Sequence, residues 1–583
     1  MSTPTVAKQL IDTLRQAGVE RIYGLVGDSL NPIVDAVRRT EGIEWIHVRN
    51  EEAAAFAAAA DAQLTGRLAV CAGSCGPGNI HLIQGLYDAH RSGAPVLALA
   101  SHIPSEQIGT GFFQETHPER IFGECSHFCE LVSQPAQMPR LARIAIQTAL
   151  GQGGVSVLVL PGDVLHRPTA HPGEQGALPV RRGAVLPDME QVRELAERLN
   201  AAETVTLFCG AGVAGAHAEV MELAAKLHSP IGHSLRGKEW IQFDNPYDVG
   251  MSGLLGYGAC YEASHEADLL VLLGTDFPYD TFLPKARTIQ VDHDPARLGR
   301  RTPLELAVHG DVAATLRVVL PLLKQKTDRS FLDRMLRKHE KALKNVIDAY
   351  THDVDRHVPI HPEYAAQILD ELAADDAVFT VDTGMCNVWA ARYLSPNGRR
   401  RVIGSFLHGT MANALPHAIG AQFAYPDRQV ISMSGDGGLG MLLGELLTVA
   451  LHQLPVKIVL FNNSSLDMVK LEMLADGLPD FETDHAPVNF TAIAQGAGLH
   501  AVRIEQPTEV RTGLKEALAH PGPALVELVT DPNVLSIPPH IRAEQVKGFA
   551  LAASKIVLTG GVGEMLKLAQ ANVRNIPRPT FTR

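Results

Sequence analysis

Two stretches decide how this chain is read: Ile431-Ser432-Met433-Ser434-Gly435-Asp436-Gly437-Gly438 and, further on, Ile458-Val459-Leu460-Phe461-Asn462-Asn463. Each is a short apolar run of strand length that stops at a polar, turn-forming group. In parallel sheets, ligands bind beyond the carboxyl ends of strands. Asp436 offers a hard carboxylate oxygen and Asn463, 27 positions later, an amide carbonyl oxygen. Such donors suit Mg²⁺, which takes few protein ligands and completes its octahedron with phosphate oxygens and water. Gly437 and Gly438 let backbone approach a diphosphate without Cβ obstruction. A helix predicted to start near Leu439 aims its N-terminal N–H groups at that anion. An Asp-Gly turn alone is common, but a strand ending in GDGG followed by one ending in NN is much rarer.

Working outward, strand-like runs alternate with helical patterns in three blocks, the pattern of parallel α/β domains. Residues 1–182 carry RIYGLVG, LAVCAG, PVLALAS and VSVLVLPGDV; residues 183–335 carry TVTLFCGAG, DLLVLLGTDFP and TIQVDHDP; residues 336–532 carry AVFTVDTG, RQVISMSGDGG, VKIVLFNNSS and PALVELVT. The expected fold class is therefore α/β, three doubly wound parallel-sheet domains, with a helical tail over residues 533–583. A chain of 583 residues fits roughly three or four domains. HRPTAHPGEQGALPVRRGAVLP reads as a linker between the first two blocks, and KTDRSFLDRMLRKHEKALKNV as a helix leading to the third. Blocks one and three share size and rhythm without a visible sequence repeat.

The formal net charge of -13 argues against nucleic acid as a partner. No apolar stretch approaches the roughly 20 residues of a spanning helix. The opening MSTPTVAKQLIDTLRQAG reads as an amphipathic helix rather than a signal peptide, so a cytoplasmic location is expected. Seven cysteines in a chain this long do not make a disulfide framework and are expected to be reduced and mostly buried.

With VGDSLN, AVCAGSCGPGN, SHIPSEQIG, FFQETHP, LPGDV, NPYDVGMSGLLG, GTDFP, SFLHGTMANALP, GDGG and FNNSSL, the chain resembles the thiamine diphosphate-dependent decarboxylase superfamily along essentially its whole length. Within it, the chain resembles the quinone-linked pyruvate oxidase branch, a relative of the acetolactate synthases. The resemblance implies a pyrimidine-binding domain over 1–182, an FAD-binding domain over 183–335, a domain for the diphosphate and Mg²⁺ over 336–532, and a membrane-associating tail.

The same resemblance assigns residues. Glu51, opening an Ala-rich helix, is the catalytic carboxyl that binds the cofactor's pyrimidine nitrogen. By itself it reads as an acid favoured at a helix N-terminus by about 0.3–1 kcal/mol. Asn50 departs from the family pattern, which commonly has His there, and Glu52 is expected to be a solvated neighbour. Phe113 and Gln114 line the substrate pocket, with Met468 as a further catalytic position. Gly409, Thr410 and Met411 contact the cofactor, Met411 as the bulky residue beneath its bend. Ser465 joins Asp436 and Asn463 as a metal ligand; Ser464, Leu466, Asp467 and Val469 complete that cofactor loop. Asp467 is a second departure, since relatives usually carry Gly there. Gly210, Ala211, Gly212, Met251, Ser252, Gly253, Leu254, Gly274, Thr275, Asp276, Phe277 and Pro278 are expected around FAD, with backbone N–H groups on its diphosphate. Asp292 and Asp311 are expected on its sugar hydroxyls or adenine.

The activity implied is oxidative decarboxylation of pyruvate to acetate and CO₂, with electrons passing from the thiamine cofactor through FAD to a membrane quinone. A non-redox synthase with structural FAD, such as an acetolactate-forming enzyme, is the alternative. The implied assembly is a homodimer at minimum and a homotetramer in full, with Glu51 and Asp436 of each site from different subunits. In the tail, Val562, Met565, Leu566, Ala569 and Val573 form a helical apolar stripe, and Ile541–Arg583 holds seven Lys/Arg against two Glu. Such a segment docks on an anionic lipid surface at the inner face of the cell membrane or packs on its own subunit.

Overall fold

Unbroken apolar runs become strands covered on both faces. The computed structural model of the chain describes residues 3–170, 183–285, 287–534, 551–555, 562–572 and 574. The first sheet contains β1 (Arg21–Gly24), β2 (Glu44–His47), β3 (Ala69–Gly73), β4 (Val96–His102), β5 (Phe128–Leu131) and β6 (Val155–Pro161), in the order β2-β1-β3-β4-β6-β5. Along β3, Ala69 and Cys71 enter one apolar cluster while Val70 and Ala72 enter another. That two-sided burial is why the strand reads as continuous rather than alternating.

The middle sheet holds β7 (Val205–Cys209), β8 (Ile231–His233), β9 (Asp248–Met251), β10 (Tyr257–Gly258), β11 (Leu269–Leu273), β12 (Arg287–Asp292) and β13 (Leu306–His309), ordered β10-β9-β8-β7-β11-β12-β13. All its neighbours run parallel except the short edge strand β10. The third sheet holds β14 (Val378–Val381), β15 (Arg401–Gly404), β16 (Val430–Gly435), β17 (Lys457–Asn462), β18 (His500–Ile504) and β19 (Ala524–Val529), ordered β15-β14-β16-β17-β19-β18. First and third sheets thus share one topology, though their sequences show no repeat.

These two domains pack on each other through the helix Glu51–Thr65 and the helix Ala414–Ala424. The run Ala53–Ala60 around Phe56 is buried because only small side chains allow this approach. A Cβ on Gly420 would stand 2.0 Å from the Ala57 carbonyl oxygen. Asp88 and His417, both fully buried, meet across the same contact at 3.1 Å.

The helix Ser330–Ala342 spans the expected 335/336 boundary and places Phe331 and Met335 in a cluster with Phe208 and Val249 of the middle domain. Of the expected linker, residues 171–182 lie outside the described residues. In the tail, the helix Val562–Asn572 is held on its own chain: Asn572 Nδ2 donates to the Asn533 carbonyl at 2.7 Å. The Arg574 guanidinium donates to the carbonyls of Ala349, His352 and Asp353, each at 3.1 Å, and lies over the Tyr350 ring. The side chains of Val562, Met565, Ala569 and Val573 lie outside the described residues, so the apolar stripe is seen only at exposed Leu566. Among the described residues no helix is long and apolar enough to cross a membrane. All seven cysteines are free thiols, and all but Cys129 are buried.

Candidate active site

Strands β16 and β17 are parallel neighbours with Gly435 opposite Phe461, so Asp436 and Asn463 emerge side by side at one sheet end. The helix after β16 is Asp436–Met441, beginning three residues before the expected start near Leu439. Extended backbone at Gly435 gives way directly to helical backbone, which makes Asp436 the first helical residue. Gly437 is where the quoted motifs meet. A Cβ there would lie 2.8 Å from Leu466 Cδ2, 3.2 Å from Met411 Cε and 3.2 Å from His485 Nε2. The glycine therefore lets three loops close on one point, and it adds His485, which sequence reasoning missed.

Asp436 is buried, and burial pushes its carboxyl up; His485 and the backbone N–H groups of Gly437 and Ser464 oppose that. The two asparagines after β17 do different work. Asn462 Nδ2 donates to fully buried Glu527 at 2.8 Å, a structural bond. Asn463 faces the loop instead, its Oδ1 accepting from Ser465 N at 3.0 Å. Ser464 takes a left-handed backbone (φ 57°), and the loop is braced by Leu466 N donating to the Thr483 carbonyl and His485 N to the Ser464 carbonyl, both at 2.7 Å. Ser465 is buried, Met468 half-buried against the third domain's core, and Val469 exposed. Asp467 begins the helix Asp467–Ala475; it is buried and accepts from Asn463 Nδ2. Thr410 is buried, its Oγ1 accepting from Gln84 Nε2 at 2.7 Å, beside Gly409 in a left-handed conformation (φ 76°).

Gly438 is still more constrained. A Cβ on it would stand 1.8 Å from Asp382 Oδ2. Asp382 directly follows β14 and was not anticipated as a site residue. It accepts from Asn413 N at 3.2 Å and Asn413 Nδ2 at 3.1 Å, and burial pushes its carboxyl up to about 7. A carboxyl raised in the folded state holds its proton more tightly than in the unfolded chain. Its stabilising contribution is full below about pH 4, the ordinary aspartate value, and is lost as pH rises towards about 7. We expect Asp382→Asn to flatten the fall in thermal midpoint across that window. Melting curves at several pH values check this, and an unchanged slope would remove Asp382 from the account.

These donors fit a hard cation with a diphosphate: one buried carboxylate, one amide oxygen and the loop at Ser465, where phosphate oxygens and water supply the remaining positions. Among the described residues no group of three or more His, Cys, Asp or Glu side chains is arranged to hold a metal, so the candidate is this mixed set.

Glu51 opens its helix with Asn50 as the cap: the Asn50 side chain accepts from Glu52 N at 2.9 Å. Asn50, where His was expected, thus has a structural task. Glu51 is only 4% exposed, and its Oε2 lies 3.0 Å from Nδ1 of solvent-facing His81, a second partner that sequence reasoning missed. On the other side, a Cβ on Gly78 would stand 2.7 Å from Glu51 Oε1. Glu52 is half-buried rather than solvated, and burial pushes its carboxyl up. Gln114 has left-handed backbone (φ 62°) and packs on Gly76, and its Oε1 accepts from Cys75 Sγ at 3.3 Å. It therefore shares with Glu51 the loop 74–78. Phe113 is 78% exposed, so a single chain does not close the pocket it was expected to line.

In the middle domain several of the expected residues contact other parts of the chain. Gly210 N donates to the Leu273 carbonyl and Gly212 N to the Gly274 carbonyl, both at 2.9 Å. Cβ atoms there would stand 2.4 Å from Thr275 Cβ and 2.6 Å from Gly274 Cα. These glycines let two strand-end loops interlock, and their N–H groups are not free for a diphosphate; Ala211 lies between them. The Asp311 carboxylate accepts from Val185 N, and that of Asp276 pairs with Arg300 and Arg301; an ionised carboxylate keeps further acceptor sites beyond these. Asp292 is buried and accepts from Asp294 N at 2.9 Å. What remains open is nearby: Ser252 Oγ is buried without a partner, Leu254 and Pro278 are exposed, and Phe277 packs between Phe208 and Gly253, while Met251 is buried in another apolar cluster. A cavity of about 270 Å³ lies where the three domains meet, lined by Gly93, Ala211, Arg236, Trp240, Arg401 and Phe406.

Three α/β domains, the outer two alike in topology and the third carrying a strand-end Asp beside a strand-end Asn, define a class of thiamine-dependent enzyme. Family models agree: residues 4–121 match the N-terminal TPP binding domain of thiamine pyrophosphate enzymes, 192–319 the central domain and 382–528 the C-terminal TPP binding domain. The chain belongs to the thiamine pyrophosphate enzyme family. It is 34% identical to a Bacillus subtilis (strain 168) protein provisionally named thiamine pyrophosphate-containing protein YdaP, over 94% of this chain and 96% of that one. It is 31% identical to the pyruvate oxidase of Lactiplantibacillus plantarum over 89% of this chain and 87% of the relative. It is also 31% identical to the acetolactate synthase of Arthrospira platensis, over 90% and 94%.

Proposed function

We propose that this chain oxidatively decarboxylates pyruvate to acetate and CO₂, passing electrons through FAD to a membrane quinone. The observation that carries the reading is the meeting of Asp436, Asn463, Met411 and the Asp467 loop around Gly437. When bound, thiamine diphosphate supplies a nucleophilic carbon and an electron sink for the decarboxylation. Asp436, Asn463 and Ser465 would hold Mg²⁺, and Met411 and Met468 would give the cofactor an apolar support. Glu51 would hold a proton on a carboxyl oxygen in a dry site, with His81 as its route to water. Gln114 would present its amide to the keto acid. Ser252, Leu254 and Phe277 are the strongest candidates to contact FAD.

Two copies would complete each site, Glu51 from one and Asp436 from the other, within a homotetramer. Exposed Phe113 supports a shared pocket. The enzyme would be cytoplasmic and would dock peripherally on anionic lipid at the inner face of the membrane when the tail leaves its Arg574 contacts. The acetolactate synthase relative supports a second reading, with FAD structural and no net redox chemistry.

An anaerobic spectrum of the purified protein before and after pyruvate separates the two. We expect a yellow protein whose oxidised-flavin absorbance bleaches while CO₂ is released. Acetolactate formation without bleaching would establish the second reading in its place.

A further inference from the structure

We infer that Asp467 is a positioning residue for the divalent cation: its carboxylate fixes the Asn463 amide so that the carbonyl oxygen faces the metal, and its charge strengthens cation binding. This deepens the reading of Asp436 and Asn463 as the cation site and rests on it.

Three observations converge. First, Asp467 Oδ2 accepts from Asn463 Nδ2, which turns the amide so that its Oδ1 points away from Asp467, towards Ser465 N. Free rotation of that amide would present nitrogen, a donor that repels a cation, as often as oxygen. Second, Asp467 is 8% exposed and its Oδ1 is buried with no hydrogen-bond partner. A desolvated carboxylate oxygen without a donor is costly, and a bound cation would offset that cost as a proton does. Third, the one cationic charge among the described residues that reaches Asp467 is shared with another acid. Lys470, one turn along the helix, pairs with Asp480 at 3.3 Å. Asp436 and Asp467 lie within electrostatic reach of each other, with the Asn463 amide bonded to Asp467. With Gly at this position, as the resembled family usually has, the second charge and the Asp467 half of the amide lock would be absent, and Ser465 N alone would orient the amide. Groups that orient a metal ligand typically alter metal affinity by about 10–100-fold.

The test uses the full chain, freed of metal, titrated with Mn²⁺ alone and followed by the electron paramagnetic resonance of free Mn²⁺. Wild type is expected to take up one ion per chain and Asp436→Ala none. Asp467→Gly is expected to bind about 10–100-fold more weakly. Asp467→Asn, which keeps an acceptor for Asn463 but loses the charge, falls between, and it serves if the glycine variant does not fold. Equal or tighter binding by both Asp467 variants, or no uptake by wild type, would overturn the inference. Unchanged binding by Asp436→Ala would overturn the cation site itself.

Discussion

Gly438→Ala is expected to dismantle the site. The added methyl would stand 1.8 Å from Asp382 Oδ2, and neither partner can yield easily. Asp382 is fixed by Asn413 through two hydrogen bonds and directly follows the interior strand β14. Gly438 is two residues from Asp436 on a helix of one and a half turns. Ordinary overpacking costs about 1–3 kcal/mol, and contact this short belongs at the upper end. Relief by moving the helix start would carry Asp436 away from Asn463, so retention of Mg²⁺ and thiamine diphosphate should fall about 10–100-fold, on the scale of lost metal-site organisation. Gly440→Ala in the same helix is the control, since a Cβ there meets nothing within 4 Å. It should be neutral or stabilising by up to about 1 kcal/mol. Thermal midpoints and cofactor retention after gel filtration report both. Equal behaviour of the two variants would mean that the close packing against Asp382 does not matter.

Glu51→Gln should abolish most turnover while leaving the fold intact. Glutamine matches the buried volume and can still bond His81, so stability should change little. It cannot take and return a proton, and a positioned acid–base group contributes about 10²–10⁴-fold. We expect CO₂ release from pyruvate to drop by that factor while Mg²⁺ and diphosphate affinity stay near wild type, because those donors lie at Asp436 and Asn463. Single-turnover assays with parallel binding measurements separate the two quantities. Full turnover by the variant would remove Glu51 from the chemistry and send the proton to another group.

The division between what the sequence made legible and what it hid follows burial. In the first and third sheets, every strand quoted from the sequence lies inside the sheet, and the missed strands are the edges. β2, β5, β15 and β18 are short and largely half-exposed, so they lack the continuous apolar run that two-sided burial writes into β4 or β17. In the middle sheet the unquoted strands are β8, β9, β10 and β13, and only the glycine-rich motif around β9 was noticed. The diphosphate motif was legible because its chemistry is local: Asp436, Gly437 and Gly438 adjoin in sequence. His81, His485 and Asp382 were not, because each acquires its role through a contact with another loop. The paired glycines at Gly210 and Gly212 invited a ligand reading, yet the chain itself fills the space they leave. Sequence cannot tell a glycine that admits a ligand from one that admits a neighbouring strand end.

In the proposed reaction, Asp436 would anchor the group on which pyruvate loses CO₂. The most direct measurement is release of labelled CO₂ from carboxyl-labelled pyruvate by wild type and Asp436→Ala, each supplied with thiamine diphosphate and Mg²⁺. Release by wild type, and none above background by the folded variant, is the result this site requires. Equal release by both, or none by wild type, would contradict it.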